Sequence, residues 1–375
     1  MEMRKGICLA DHVIRCEDGS RLKLDRGQQY DLGEERNGQR LVFSGDLREW
    51  VPSEWFVDRG AEETVSVVIP AYNCARYLPE TIESALSQTL PPLEVIVIDD
   101  GSTDDTAEVL ARYEGRIRYI RQRNMGIAAA RNAGIRIARG SLIAFLDADD
   151  IWFPSILAQQ REALNRTGAG LAHTSFYNWD STTGTKSSPS RDNSLFDGHC
   201  YRKFFWNETG DPASAYMVRR SCFDTVGLFD EEIPGGCCED LEMWTRISRR
   251  FPFTYIDAPL LLRRQHGSNI TRHTARVAEG YFWAKQRALA ADQQLRRELG
   301  EKAVRAHLAE AAFGAGYGYF EKGDGRTARR YFLQSLRYGR VRARTLALLG
   351  STYLPRKTRE GLRAIMQRNR IRSAC

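Results

Sequence analysis

The chain has 375 residues, 42% of them hydrophobic and 27% charged, with a formal net charge of +7. This length allows two or three domains with a sizeable core, and the composition is that of a globular protein, not a disordered or fibrous one. The apolar runs, such as Val95 to Ile98, are far too short to cross a bilayer, and Met1 to Lys5 leads into no apolar stretch, so neither a membrane span nor a signal peptide is expected.

Residues 1–58 alternate polar and apolar positions in short segments: Val13-Ile14, Arg21-Leu22-Lys23-Leu24 and Arg40-Leu41-Val42-Phe43. Turn signals at Asp18-Gly19, Arg26-Gly27, Asn37-Gly38 and Gly45-Asp46 break them, and Asn37-Gly38 is a strong hairpin signal. These features predict a five-stranded small β-barrel resembling a Src-homology-3-like module. Such a module binds a peptide or a neighbouring domain, or is a plain stabilising appendage.

Residues 64–275 alternate strands and helices. Strands are predicted at Val65 to Pro70, Glu94 to Asp99, Ile117 to Ile120 and Ser141 to Asp147, with helices at Pro79 to Gln88, Asp104 to Tyr113 and Gly126 to Ala138. This order predicts an α/β domain with a mostly parallel sheet covered on both faces, and ligand sites beyond the carboxyl ends of its strands. Three polar clusters fall there: Pro70-Ala71-Tyr72-Asn73, Asp99-Asp100 and Asp147-Ala148-Asp149.

Asp147 and Asp149 are two apart, so on an extended chain both side chains leave one face about 7 Å apart. A hard divalent ion such as Mg²⁺ or Mn²⁺ would relieve their repulsion and keep positions open for phosphate oxygens. An acidic turn, with Asp150 capping the next helix, is the plainer account of the same residues. Tyr72 offers a ring and a hydroxyl at a strand end, or is a core aromatic. Asp100 opens a turn in which Ser102 or Thr103 would cap a helix. In Asn124 to Gly134 small residues allow close backbone approach to a ligand, and Arg131 suits a diphosphate or a surface ion pair. Glu239-Asp240 precedes the amphipathic Leu241, Trp244 and Ile247, where Asp240 would serve as a helix N-cap.

Taken together, Val65 to Asn73, Val97 to Asp104, Arg131-Asn132-x-Gly134, Phe145 to Asp150 and Glu239 to Arg246 resemble the family-2 glycosyltransferases over residues 64–275. The resemblance implies a GT-A fold, a Rossmann-like nucleotide-diphospho-sugar transferase domain, and inverting transfer from a nucleotide-diphosphate donor. It implies that Pro70, Ala71, Tyr72, Asn73, Asp100, Arg131 and Asp147 contact the donor. Asp149, with Asp147 and His266, would hold a Mn or Mg ion, Arg264 would lie nearby, and Asp240 would be the base. Uridine is the base it leads one to expect, and the acceptor would be a saccharide or a lipid-linked glycan of a bacterial surface polysaccharide. The chain has no Gln-x-x-Arg-Trp motif, which marks processive synthases of that family, so a single, hexosyltransferase-type addition is expected. A nucleotidyltransferase on a related fold and a non-catalytic adaptor are the alternatives.

Residues 276–375 read as helices. Glu301 to Phe320, a turn at Glu321 to Gly325 and Arg326 to Tyr338 resemble one tetratricopeptide hairpin, and one copy makes no repeat array. From Arg326 to Cys375 fourteen Lys or Arg face one acid, Glu360, a balance of +13 that leaves −6 for the remainder. Leucines interleave with these arginines, as in a helix lying on an anionic membrane surface, or simply in a solvated basic face. Without a nucleic-acid-binding module, no nucleic-acid partner is expected. The eight cysteines include no CxxC spacing, which argues against structural zinc and fits reduced thiols in a cytoplasmic protein, peripheral at most to the inner face of the membrane.

Overall fold

A computed structural model describes the strands between residues 4 and 58, then residues 63–189, 194–206, 211–233, 236–267, 269, 274–339, 342–354 and 358. The chain divides into two compact units. One comprises Met1–Phe204, Thr209–Phe229 and Arg246–His266; the other comprises Phe205–Glu208, Asp230–Thr245 and Gly267–Cys375.

The first unit begins with β1 (Arg4–Cys8), β2 (His12–Arg15), β3 (Arg21–Leu24), β4 (Gln29–Arg36), β5 (Gln39–Ser44), β6 (Leu47–Pro52) and β7 (Phe56–Asp58). Five of them form an antiparallel sheet ordered β6-β5-β4-β1-β7, and β2 pairs with β3. Arg36 faces Gln39 and Ser44 faces Leu47, so both two-residue turns expected from sequence are flanked by paired strands. Cys8, Leu24, Val42 and Val51 are buried. No pairing among the described residues closes these strands into the expected small barrel.

The larger sheet starts with β8 (Val65–Ala71), α1 (Leu78–Leu86), β9 (Glu94–Asp99), α2 (Thr106–Ala111), β10 (Arg118–Arg121), α3 (Ile127–Ile137) and β11 (Leu142–Phe145). Strands β10, β9, β8 and β11 run parallel in that order. All seven residues of β8 and all four of β11 are buried, which is why they read as unbroken apolar runs. Each buried Val or Ile contributes about 1.5–3 kcal/mol. Helix α3 lies close on β8: a Cβ at Gly134 would sit 2.3 Å from Val68 Cγ1, so only glycine fits.

The sheet continues with β12 (Ile151–Trp152), α4 (Ile156–Thr167), β13 (Leu171–Asp180), β14 (Lys186–Pro189), α5 (Tyr201–Trp206), β15 (Tyr216–Arg219), α6 (Arg220–Val226), α7 (Glu239–Ser248) and β16 (Phe253–Gln265). The nine strands follow the order β10-β9-β8-β11-β15-β13-β16-β12, with β14 on β13. The sheet, expected to be mostly parallel, is mixed, because β15 runs antiparallel to both β11 and β13. Strand β16 then runs parallel to β13 over the whole length of β13 and carries its last residues to Gln265.

The second unit holds α8 (Thr274–Ala291), α9 (Gln293–Leu299), α10 (Glu301–Glu321), α11 (Gly325–Tyr338) and α12 (Ala343–Ser351). The hairpin expected from sequence is α10–α11, started at α11 by Asp324, whose carboxylate accepts the Thr327 N–H at 3.0 Å. Phe320, Ala328, Phe332 and Leu348 form its core. Gly316 lies where a Cβ would meet the Phe332 ring at 2.7 Å. The buried Glu279 of α8 accepts hydrogen bonds from the Tyr319 and Tyr331 hydroxyls and from Arg330, and burial together with that carboxylate pushes the Tyr319 phenol up to about 12.

Candidate functional site

The carboxyl ends of β8, β9 and β11 bring three loops to one edge of the large sheet, and β16 ends beside them. In the loop after β8, Asn73 takes a left-handed backbone, φ 52°, a conformation that asparagine tolerates. Its N–H donates to Ser102 Oγ at 3.0 Å, and its side-chain oxygen accepts the Thr103 N–H at 2.8 Å. Ser102 and Thr103 thus hold Asn73 and do not cap α2, whose first N–H, that of Thr106, goes to Asp104. Tyr72 stands 48% exposed at this edge, while Pro70 and Ala71 are buried in β8.

Asp99 ends β9, Asp100 follows it, and both are buried. Asp99 accepts from the Ser102 N–H and the Tyr119 hydroxyl. Asp100 accepts from Gln122 Nε2 at 2.7 Å, Met125 N–H at 2.9 Å and Gly126 N–H at 2.7 Å. Its charge therefore sits at the amino terminus of α3, where the helix dipole favours an anion. Asp100 shapes the loop ahead of Arg131.

Arg131 points inward from α3. Its side chain is 2% exposed, its Nη2 lies 2.7 Å from Asp147 Oδ1, and its guanidinium lies 5.6 Å from the centre of the Phe229 ring. The structure brings Arg131 and Asp147 together as partners of each other. The family fingerprint marks both as important; only the packing of α3 shows which way the arginine points.

Asp149 lies in a turn closed by the Asp150 N–H on the Asp147 carbonyl at 3.0 Å, not on the extended chain expected from sequence, and it meets His266: Nε2 and Oδ2 are 2.8 Å apart. His266 stacks on Tyr77 with ring centres 4.6 Å apart. Two residues earlier, Arg264 lies between the Tyr77 and Trp179 rings at 4.9 and 4.5 Å, donates to the Asp149 carbonyl at 2.8 Å and pairs with Glu80. Tyr77, Glu80 and Trp179 carried no signal in the sequence, being single residues far apart in the chain.

Asp150 turns the other way and is 2% exposed. It accepts from Ser214 Oγ at 2.6 Å and from the Arg264 N–H at 3.0 Å. Burial, with Asp149 and Asp147 adjacent, pushes its carboxyl well above the usual range. The helix-cap role is thus corrected: residues 151–152 form a strand, and α4 starts at Ile156. Burial pushes the Cys74 thiol up to about 12, with Asp149 adding to the effect.

Among the described residues no three His, Cys, Asp or Glu side chains converge as a metal cage. Asp149 and His266 nonetheless offer a carboxylate oxygen and a ring nitrogen side by side, 22% and 11% exposed. Mg²⁺ and Mn²⁺ are held in just such partial sites, by one or two protein groups plus phosphate oxygens and water, so the residues present fit the ion. Asp240 belongs to the second unit, in the first turn of α7, where its Oδ1 accepts the Leu241 N–H at 2.7 Å.

This mixed α/β sheet, with its acidic edge at the carboxyl ends of the parallel strands, has the GT-A fold. Staphylococcus aureus TarS (residues 1–349, in complex with UDP-GlcNAc) superposes with a TM-score of 0.54 at 18% identity, over 77% of this chain and 84% of that one. The mannosyltransferase PcManGT of Pyrobaculum calidifontis, in complex with GDP-Man and Mn²⁺, gives 0.51 at 19% identity, over 81% and 85%. Residues 66–227 match the model of glycosyl transferase family 2. An uncharacterized glycosyltransferase of Rickettsia bellii is 35% identical over 209 residues, 55% of this chain and 29% of that protein. The Escherichia coli UDP-Glc:alpha-D-GlcNAc-diphosphoundecaprenol beta-1,3-glucosyltransferase WfaP is 39% identical over 117 residues, 31% of this chain and 47% of that one. The matched region spans about a third of the first curated relatives.

Proposed function

We propose that this chain is an inverting, metal-dependent glycosyltransferase that adds one sugar from a nucleotide-diphosphate donor to a saccharide or lipid-linked acceptor in surface polysaccharide synthesis. The pairing of Asp149 with His266 at the carboxyl edge of the sheet carries this reading, because it offers an ion-binding pair where the family places the donor diphosphate. Tyr72, Asn73 and Asp100 line or shape the nucleoside side, and Asp147, held by Arg131, lies next to the ion pair.

The chemistry follows from charge. A bound Mn²⁺ or Mg²⁺ neutralises the departing diphosphate when present. Asp240, ionised, takes the proton of the acceptor hydroxyl, and attack from the side opposite the diphosphate inverts the anomeric carbon. The exposed Tyr72 ring gives the base a flat surface. Complexes of neighbours with UDP-GlcNAc and GDP-Man support a nucleotide-sugar donor, and the diphosphoundecaprenol substrate in the name of WfaP supports a lipid-linked acceptor. Among the described residues no helix is long and apolar enough to cross a membrane; we place the reaction at the inner membrane face because the leucines interleaved with basic residues after Arg326 suit an anionic lipid surface.

The test is a thermal-shift and turnover screen of UDP-, GDP-, dTDP- and CMP-sugars with Mn²⁺ or Mg²⁺. A donor that raises the melting temperature and releases its nucleoside diphosphate supports the reading. Release of pyrophosphate from a nucleoside triphosphate would instead establish a nucleotidyltransferase. Silence across the whole panel, with either ion, removes the enzyme.

A further inference from the structure

We infer that Asp150 and Ser214 are positioning residues: a buried hydroxyl–carboxylate clamp that fixes residues 147–149 against the end of β16 and so sets the spacing of Asp149 and His266. The clamp rests on the glycosyltransferase reading for its purpose and on geometry for its existence. Ser214 sits in a short turn, Ala213–Ala215, just before β15, and is fully buried. Its Oγ accepts the Asp147 N–H at 3.0 Å and donates to Asp150 Oδ2 at 2.6 Å. The other oxygen of Asp150 accepts the N–H of Arg264, two residues before His266, at 3.0 Å. Arg264 closes the ring by donating from Nε to the carbonyl of Asp149 at 2.8 Å.

The surroundings hold the clamp in place. Thr81 Oγ1 lies 3.0 Å from the Ala148 carbonyl and 2.9 Å from that of Asp150. Trp152 Nε1 donates to the Ser214 carbonyl at 2.7 Å, and Asp211, three residues before Ser214, accepts the Tyr216 hydroxyl at 3.2 Å. Burying an acid beside two others is costly, and an apolar residue of similar size would fill the space without that cost. The Asp150 carboxyl turns one oxygen to the Ser214 hydroxyl and the other to the Arg264 N–H, a pairing that no apolar side chain makes. Asparagine would turn an amide N–H₂ toward one of these donors.

The experiment compares full-length parent, Ser214→Ala, Asp150→Asn and the double variant. Free Mn²⁺ is titrated by electron paramagnetic resonance, and amide hydrogen exchange is followed in peptides spanning 145–152 and 260–267. Each single variant is expected to weaken Mn²⁺ binding about 10- to 100-fold, the range for groups that orient metal ligands. Exchange should quicken in both peptides. The double variant should be little worse than either single one, because the two residues act as a unit. A folded Ser214→Ala protein with parental Mn²⁺ affinity and parental exchange overturns the clamp, even if Asp150→Asn does not fold. If the parent itself binds no Mn²⁺, the metal reading falls, and the exchange comparison alone decides the clamp.

Discussion

His266 Nε2 lies 2.8 Å from Asp149 Oδ2, although 117 residues separate the two in the chain. Strand β16 makes the contact by pairing alongside β13 as far as Asp180 opposite Gln265 and by pairing with Ile151-Trp152 just after Asp149. Both sides of the pair are thereby fixed by backbone ladders, and Tyr77 supports the imidazole from below.

Asp149→Asn should remove Mn²⁺ binding and lower turnover by at least about 100-fold, because the amide is a neutral, weaker oxygen ligand. His266→Ala should weaken the ion less, as a hard ion depends more on carboxylate oxygen than on nitrogen. Titration of Mn²⁺ against each protein checks both. Equal affinity for parent and Asp149→Asn removes Asp149 from the site.

Asp240→Asn should lower kcat by about 10²- to 10⁴-fold, the usual contribution of a general base, while donor affinity stays near that of the parent. Single-turnover transfer together with calorimetric donor binding separates the two quantities. Full transfer by the variant means another group takes the proton.

Arg131→Ala should destabilise the fold by about 2–3 kcal/mol and impair donor binding. Breaking a fully buried ion pair costs roughly 3–5 kcal/mol, and Asp147, a quarter exposed, recovers part of that from water. Arg131→Lys should fall between the two, since an ammonium cannot lie flat over Phe229 as the guanidinium does. Urea unfolding measures the order; a stable alanine variant would show that Asp147 does not need the charge.

Strand pairs along a chain follow local patterns, and those were legible. The apolar runs of β8, β9 and β11 announced a buried parallel sheet. Distant partners were not. Ser214 reaches Asp150 across 64 residues and Arg264 reaches it across 114, distances at which no turn or period leaves a trace. Asp150 was misread for a related reason: after an acidic turn a cap and a brace look alike until the next residues declare themselves strand or helix. The antiparallel β15 was hidden because its four residues, Tyr216 to Arg219, have no alternation to separate them from any short apolar run.

Glu94 gives a pH dependence of defined sign. Burial opposes its charge, but the Arg139 N–H at 2.7 Å, the Ser66 hydroxyl at 2.8 Å and the Arg139 guanidinium hold its carboxyl below the ordinary 4.5. A depressed carboxyl stabilises the fold above its unfolded value, and that stabilisation is lost as pH falls through the folded value. Glu94→Gln should therefore melt lower than the parent at pH 7, with the gap narrowing below about pH 4.5. Melting temperatures from pH 3 to 7 test this; a gap independent of pH would assign the effect to packing.

The last prediction concerns the basic end of the chain. Thr345 and Leu348 of α12 are buried, and Leu348 joins the core of the second unit, while Leu346, Tyr353 and Leu354 remain 47%, 64% and 39% exposed. Arg329 stacks over the Tyr353 ring at 3.7 Å, and Arg344 lies over Phe313 at 5.0 Å, so basic groups flank apolar ones. Apolar side chains enter the headgroup region while arginines meet lipid phosphates, each worth about 1 kcal/mol near an anionic surface. The full chain should sediment with phosphatidylglycerol vesicles, less so at 0.5 M salt, where the screening length falls to about 4 Å, and not with phosphatidylcholine. Leu346→Asp with Tyr353→Ser, both at exposed positions, should abolish sedimentation while transfer to a soluble saccharide acceptor persists. Sedimentation unchanged by these substitutions would assign any membrane contact to another surface, and none with the parent chain would leave the basic segment a solvated face.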